Sequence, residues 1–268
     1  MNYLETTMVQ MLIDLRENHH AVGIKCEFEA EGTRQEEAQR LKEICTLAGL
    51  PLTIKIGGGE ALNDLYQARN IGVQRIVAPM IESAYALKKF VQAARIAFPV
   101  DDPVELLINV ETYSAVAVFL EMMNMEEARA LAGIVLGRVD LTGSLGIPRD
   151  DVNCDRVLAI AKEILTLAKE RGKQCVIGGG VSKYSIPFFR NLSGLLDRFE
   201  TRKIIFDAPK ALGNNAERGI MRAVGFELMW LKNKKNYYGA IYTEDDSRIE
   251  MLERRYAREI EEAGGRYA

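Results

Sequence analysis

The sequence predicts a closed (β/α)8 barrel of the TIM type, with one helix in front and a long helical extension behind. Three observations carry this. Short β-branched runs alternate with longer helix-patterned stretches along the chain, and that alternation demands a parallel sheet, because each crossover returns the chain to the same end. The units are too many for a small open sheet. No glycine-rich phosphate turn follows the first strand, as a dinucleotide-binding open sheet would require. The 268 residues suffice for one barrel, which takes ~250, and no low-complexity linker divides them. A single domain over residues 1–268 is expected.

The elements follow in order. Residues 3–17 pattern as an amphipathic helix within an N-terminal segment, 1–20. The barrel core, 21–210, opens with the strand Val22–Phe28 and the charged helix Arg34–Ala48. Strand–helix pairs then recur: Pro51–Ile56 with Glu60–Asn70, Arg75–Ile81 with Ser83–Ala97, and Val104–Val110 with Ser114–Met123. Gly133–Val139 pairs with Cys154–Arg171, and Gln174–Ile177 with Tyr184–Leu196. The last strand is Arg202–Phe206. Only seven strands are legible. The eighth is either a short segment before Val22 or an irregularity of the barrel there. The C-terminal segment, 211–268, patterns as two helices, near Ala216–Lys232 and Asp245–Glu262.

Composition excludes several classes. A net charge of −3 gives no reason to expect nucleic acid as a partner. The longest apolar runs, such as Ala115–Leu120, are far short of the ~20 residues that cross a bilayer. The first residues carry Glu5 and Asp14 and no basic run, unlike a secretion signal. The four cysteines form no C-x-x-C pair, which suits reduced thiols in a cytoplasm. A cytoplasmic protein is expected.

Polar residues interrupt strands that should be almost wholly apolar. Side chains alternate along a strand, so Lys25, Glu27 and Glu29 share the inward face of the first strand and Lys55 that of the second. Asn109 and Glu111 end the fourth strand, Arg138 and Asp140 the fifth, and Asp207 the last. Buried charges cost several kcal/mol each unless paired or metal-bound. They also gather at C-terminal strand ends, where barrel enzymes place their active sites. Glu111 and Asp140 are two carboxylates that could share one divalent cation, and such ligands suit Mg²⁺ or Mn²⁺. The only histidines, His19 and His20, are expected at a surface helix end, which argues against a zinc site or a Ser-His-Asp triad. Lys25, Lys55 and Arg138 supply positive charge for an anionic substrate. The turns Gly57-Gly58-Gly59 and Gly178-Gly179-Gly180 could offer backbone N–H groups to a carboxylate or phosphate.

Three segments carry a family resemblance. Leu107-Ile108-Asn109-Val110-Glu111-Thr112 with Ser114-Ala115-Val116, Ile134 through Gly146, and Ile76-Val77-Ala78-Pro79-Met80-Ile81-Glu82-Ser83 resemble conserved strands of the HpcH/HpaI aldolase and citrate lyase beta-subunit family, in that family's order. The resemblance covers roughly residues 20–210. It implies a phosphoenolpyruvate/pyruvate-type barrel in which Glu111 and Asp140 hold Mg²⁺ or Mn²⁺ and the metal stabilises a pyruvate-like enolate as a Lewis acid. It also implies that the missing strand precedes Val22 and that the last helix can be lent to a neighbouring subunit. There are departures. Lys55 stands nearest the family's arginine and offers a point charge rather than a bidentate fork. The family's histidine base is absent, and Glu29 falls closest to it.

The expected activity is a divalent-metal-dependent carbon–carbon lyase of the aldolase type on a 2-oxo acid. Glu29 is assigned as acid/base because it sits nearer the mouth with fewer partners, while Glu27 pairs with Lys25 or Lys55. Lys55 and Arg138 complete the catalytic set. Lys25, Glu27, Gly57, Gly58, Asn109, Gly179 and Asp207 are assigned to substrate. The alternatives are an acyl-CoA lyase resembling citrate lyase, a Schiff-base aldolase using Lys55 or Lys25, and a barrel that binds an oxo acid without turnover. Phe226, Leu228, Met229, Trp230 and Leu231, with the basic aromatic run Lys232–Tyr238, exceed what one covering helix needs, so a homo-oligomer is expected.

Overall fold

The structure is a computed structural model that describes residues 1–99 and 102–262. Residues 263–268 of the expected C-terminal segment lie outside the described residues.

Helix α1 (Tyr3–His19) starts at a capping box, in which Asn2 accepts from the Glu5 N–H at 2.9 Å and Glu5 accepts from the Asn2 N–H at 2.8 Å. Its apolar face, Met8, Leu12 and Leu15, is fully buried. His19 ends the helix and is itself buried, contrary to the surface position expected for it, while exposed His20 takes a left-handed conformation that turns the chain into the barrel.

Eight strands then close in sequence order: β1 (Ala21–Glu27), β2 (Leu52–Lys55), β3 (Arg75–Ala78), β4 (Glu105–Val110), β5 (Leu131–Gly137), β6 (Gln174–Gly178), β7 (Arg198–Glu200) and β8 (Ile204–Asp207). Between β1 and β5 run α2 (Gln35–Leu47), α3 (Leu62–Ile71), α4 (Ala84–Ala97) and the short pair α5 (Tyr113–Ala117) and α6 (Phe119–Met123). After β5 come α7 (Arg138–Ser144) and α8 (Asp155–Lys169), and α9 (Ile186–Arg190) follows β6. Outward residues such as Ile24, Cys26, Ile54, Ile76 and Ile108 join the apolar layer under these helices. Inward Val77, Leu107, Val135 and Val176 form a separate small cluster that fills the barrel's middle. The barrel is therefore solid below its upper rim, and polar inward residues have room only above that layer.

The eighth strand does not precede Val22. It is β7, three residues long, and it makes a hairpin with β8. β8 runs antiparallel to both neighbours, with Phe199 opposite Phe206 and Ile24 opposite Ile204. The turn is closed by the Thr201 N–H donating to the Ile204 carbonyl at 2.9 Å and the Ile204 N–H donating to the Thr201 hydroxyl at 3.0 Å. Stacked rings of Phe189, Phe199 and Phe206, 4.9 Å apart in succession, weld the hairpin to α9. The barrel thus has seven forward strands and one reversed.

The reversal redirects the chain's last helix. After α10 (Ala208–Ala211), the two expected C-terminal helices are one, α11 (Ala216–Glu262), of 47 residues. It lies antiparallel against α1: Gly219 sits beside His19, and Asn233 accepts from the Asn2 side chain at 2.7 Å. Ile220, Ala223, Phe226 and Trp230 form its buried face. At the rim the Tyr238 hydroxyl donates to Glu37 at the start of α2, at 2.7 Å. From Ala240 to Arg254 the side chains of α11 are exposed. None of the described helices is long and apolar enough to cross a membrane.

Candidate active site

A cavity of about 320 Å³ opens at the C-terminal ends of the forward strands, the size expected of a small-ligand site. Its floor is cleared by glycine. Gly137 and Gly178 are paired neighbours on β5 and β6, and a Cβ on Gly178 would stand 3.0 Å from the Glu200 carboxylate. The inward carboxylates Glu111 and Glu200 fill the room these two glycines leave.

Charged side chains form two linked groups. In the first, Lys25 Nζ lies 2.7 Å from Glu200 and 3.0 Å from Glu27. Burial works against the Lys25 charge, but the two carboxylates override it and hold the ammonium well above the usual lysine range. Burial likewise opposes the Glu27 charge, and Lys25 overrides it, so the Glu27 carboxyl is held below its ordinary value. In the second group, Lys55 Nζ lies 3.0 Å from Glu29 Oε2 and 3.3 Å from Glu111 Oε2. Burial acts to lower Lys55, but Glu111, Glu29 and Glu27 outweigh it and hold the ammonium above the usual lysine range, so it stays protonated. Glu27 therefore takes Lys25, as expected, but Glu29 is engaged by Lys55 rather than standing apart.

Glu111 is buried and held through both of its carboxylate oxygens. It accepts from Asn109 Nδ2 at 2.6 Å and from the Met80 N–H at 3.0 Å. Burial pushes its carboxyl above the usual range. Met80 adopts a left-handed conformation, φ 50°, to deliver that N–H, a strained backbone for a non-glycine residue of the kind found at functional sites. Asp140, in the first turn of α7, is exposed and lines the same cavity. The Oδ1 of Asn109 is buried with no partner. Two carboxylates and an amide carbonyl are hard oxygen donors of the type Mg²⁺ and Mn²⁺ prefer, so the donor set fits such an ion. Among the described residues no group of three His, Cys, Asp or Glu side chains forms a ligand cage, so water or substrate would complete the coordination.

Four residues read as site residues lie elsewhere. Arg138 is fully buried and turned away from the cavity. It donates to the carbonyls of Gly178 (3.2 Å) and Gly179 (2.8 Å), to Asn153 (2.5 Å) and to Ser185 (3.3 Å), and sits over the rings of Phe188 and Phe189. Burial alone pushes it down to about 9. It pins the β6–α9 loop from below. Gly57 donates its N–H to Asp64 at 2.6 Å, and neither it nor Gly58 borders the cavity. Their turn is a tight βα connection. Asp207 is at the opposite end of the barrel because β8 is reversed. It pairs with Arg198 at the start of β7, and its side chain caps α10 by accepting from Lys210 N. Gly179 does border the cavity; it takes a left-handed φ of 80° and leaves no room for a Cβ, which would stand 2.8 Å from Val139 N.

Glu200, Thr201 and Arg202 of the β7–β8 hairpin also line the cavity, with Met80 and Arg149. The sequence reading missed them. The one available signal was the alternation Arg198-Phe199-Glu200, which has the same polar–apolar–polar pattern as Lys25-Cys26-Glu27.

The HpcH/HpaI aldolase/citrate lyase family model matches residues 55–178, the stretch that holds all three resembling segments. Solved structures with the same fold include an HpcH/HpaI aldolase from Desulfitobacterium hafniense DCB-2 (14% identity, 72% of this chain and 82% of that one, TM-score 0.59). The citrate synthase SbnG is also similar (15% identity, 85% and 90% covered, TM-score 0.58), as is an HpcH/HpaI aldolase/citrate lyase family protein from Burkholderia cenocepacia J2315 (15% identity, 81% and 99%, TM-score 0.54). At these identities the likeness establishes the fold. No curated protein matches the sequence significantly.

Proposed function

We propose that this barrel, whose residues 55–178 carry the HpcH/HpaI aldolase/citrate lyase pattern, is a divalent-metal-dependent carbon–carbon lyase of the aldolase type acting on a 2-oxo acid. The observation that carries the reading is the fixed posture of Glu111: gripped by Asn109 and the strained Met80 N–H, beside Lys55, in the cavity that Asp140 also lines.

Glu111 and Asp140, with Asn109 Oδ1, would hold Mg²⁺ or Mn²⁺. That ion, when bound, would supply Lewis-acid stabilisation to enolate charge. Lys55 stays an ammonium and holds the anionic carboxylate end of the substrate. Glu29 is 30% exposed and touches Lys55 through Oε2, which supports assigning its other oxygen to accept a proton from the carbon next to the keto group and to return it. Lys25 pairs with Glu27 and Glu200 and balances their charge, and Glu27 also pairs with Arg202 of the hairpin. The glycine floor excludes bulk without adding groups that compete for the metal.

The amine-nucleophile reading needs an unprotonated lysine. Both cavity lysines are held in the charged form by two or three carboxylates each, which weighs against it.

The test is a screen of aldehydes with pyruvate, with and without Mg²⁺ or Mn²⁺, read by mass spectrometry. A new hydroxy-oxo acid that forms only with metal supports the reading. Turnover equal in EDTA would overturn the metal-dependent form, and no product with any aldehyde or thioester acceptor would overturn the lyase reading.

A further inference from the structure

Lys203, at the entry to β8, is 2% exposed and does not line the cavity. Its one ion-pair partner among the described residues is Glu31, whose Oε2 lies 2.5 Å from Nζ. A buried pair of this kind gives little net stability, because desolvation offsets the attraction. What it does give is geometry. The same Glu31 oxygen accepts from the Glu27 N–H and from the Thr33 hydroxyl, each at 3.3 Å. Those two residues form the neck of the β1–α2 loop, and across it the Thr33 N–H donates to the Glu27 carbonyl at 3.2 Å. One oxygen thus gathers three donors and shuts the neck. Arg202 comes only to 4.0 Å from Glu31 and is 44% exposed, so solvent screening leaves it a minor partner.

The loop beyond that neck, residues 28–32, carries Glu29. Phe28 is its apolar anchor, while Ala30 and Gly32 are exposed and add no packing. The order of the rest depends on the neck. At the far side of the loop Glu29 meets Lys55 at 3.0 Å. Lys203 is itself firmly held: its carbonyl accepts from the Lys25 N–H at 2.8 Å, and its Nζ lies 5.8 Å from the centre of the Trp230 ring of α11. The reversal of β8 is what brings it here. A residue entering a reversed strand stands at the mouth of the barrel, and one entering a forward strand stands at the opposite end.

We infer that Lys203 is a positioning residue: through Glu31 it holds the β1–α2 loop so that Glu29 faces Lys55 and the cavity. The catalytic consequence rests on the role proposed for Glu29, and the hold on the loop stands apart from it.

Lys203→Met keeps the stem over Trp230 and removes the charge. With pyruvate, an aldehyde and Mn²⁺, kcat is expected to fall roughly 10- to 100-fold, the scale of a misplaced reacting group. KM for pyruvate and Mn²⁺ affinity are expected to stay at their wild-type values, because Lys55, Glu111 and Asp140 are untouched. Lys203→Arg restores the charge and is expected to recover most of the rate. In a Glu29→Gln background, adding Lys203→Met is expected to cost nothing more, because both changes act through one group. Lys203→Met with Glu31→Gln removes both charges, leaves neither unpaired, and is expected to be folded and as slow as Lys203→Met. Hydrogen exchange at the amides of residues 28–33 in the full chain reads the loop without turnover, and it is expected to quicken roughly ten-fold in both variants. Unchanged exchange overturns the inference whether or not the wild type is active. So does Lys203→Met working at the wild-type rate, or a loss in the Glu29→Gln background as large as in the wild type. A wild type that turns over no acceptor, with exchange quickened as expected in the variants, defeats the role given to Glu29 and supports the hold on the loop.

Discussion

Gly137 and Glu111 meet so closely that a methyl group on the glycine would stand 2.8 Å from the glutamate's Cβ and 2.9 Å from its Oε2. The glycine's missing side chain is what lets the carboxylate lie flat against β5. Gly137→Ala therefore forces Glu111 to shift. Overpacking of this kind costs ~1–3 kcal/mol, and the shift breaks the hydrogen bonds from Asn109 and Met80. The expected result is a modest fall in melting temperature with a much larger loss of Mn²⁺ affinity. A variant that binds Mn²⁺ as the wild type does would show that Glu111's position is not critical.

Glu111→Gln and Asp140→Asn keep shape and remove charge. Each is expected to abolish Mn²⁺ binding by calorimetry while leaving the barrel folded. Glu111→Gln also removes a carboxyl whose ionisation burial opposes, so its stability should be unchanged or raised. Glu29→Gln is expected to retain metal affinity and lower kcat by ~10²–10⁴-fold, the usual contribution of a general base. Retained affinity in both metal variants would move the ligands to other carboxylates.

Lysine chemistry has a direct readout. Borohydride added in the presence of pyruvate is expected to trap no adduct on Lys25 or Lys55, because the carboxylates around them hold both amines protonated. A covalent adduct on Lys55 that survives EDTA would replace the metal mechanism with an imine one.

Acid sensitivity is expected at a place far from the cavity. Arg40 grips Glu5 through both oxygens, at 2.7 and 2.6 Å. With its hydrogen bonds to Asn2 and Asn233, this holds the Glu5 carboxyl down from 4.5 to about 2. The folded value is depressed, so the stabilisation is fully present above pH 4.5 and is lost as pH falls toward 2. It amounts to at most ~3 kcal/mol. Urea unfolding midpoints should fall across that window in the wild type and fall less in Glu5→Gln.

Much of this was legible in the sequence, and what was not has a physical reason. The alternation of apolar and charged residues in Ile24–Glu27 and Leu52–Lys55 gave the strands, their inward faces and the lysines, because a period of two survives any tertiary context. Arg138 obeyed the same strand-end logic, yet it is the first residue of α7, where the chain leaves the barrel wall and its side chain drops beneath the Gly178–Gly179 carbonyls. The hairpin was hidden because β7 is only three residues long and its turn, Thr201-Arg202-Lys203, has none of the glycine or asparagine that marks tight turns. Asp207 was misplaced as a result: residue pattern gives a strand's faces, not its direction.

The reversed strand also sets a timetable for synthesis. β8 seals the ring by pairing Ile204 with Ile24, so nothing made earlier can close it. At ~5–20 residues per second the chain between these partners takes on the order of 10–40 s to emerge. Throughout that interval β1 presents an unpaired edge, and Met8, Leu12 and Leu15 of α1 wait for the helix that will cover them. An unpaired edge and a bare apolar face are what holding chaperones bind. The nascent chain should therefore depend on them until β8 has emerged to pair with β1, and stop doing so only once the Ile220–Trp230 stretch of α11 follows and covers α1.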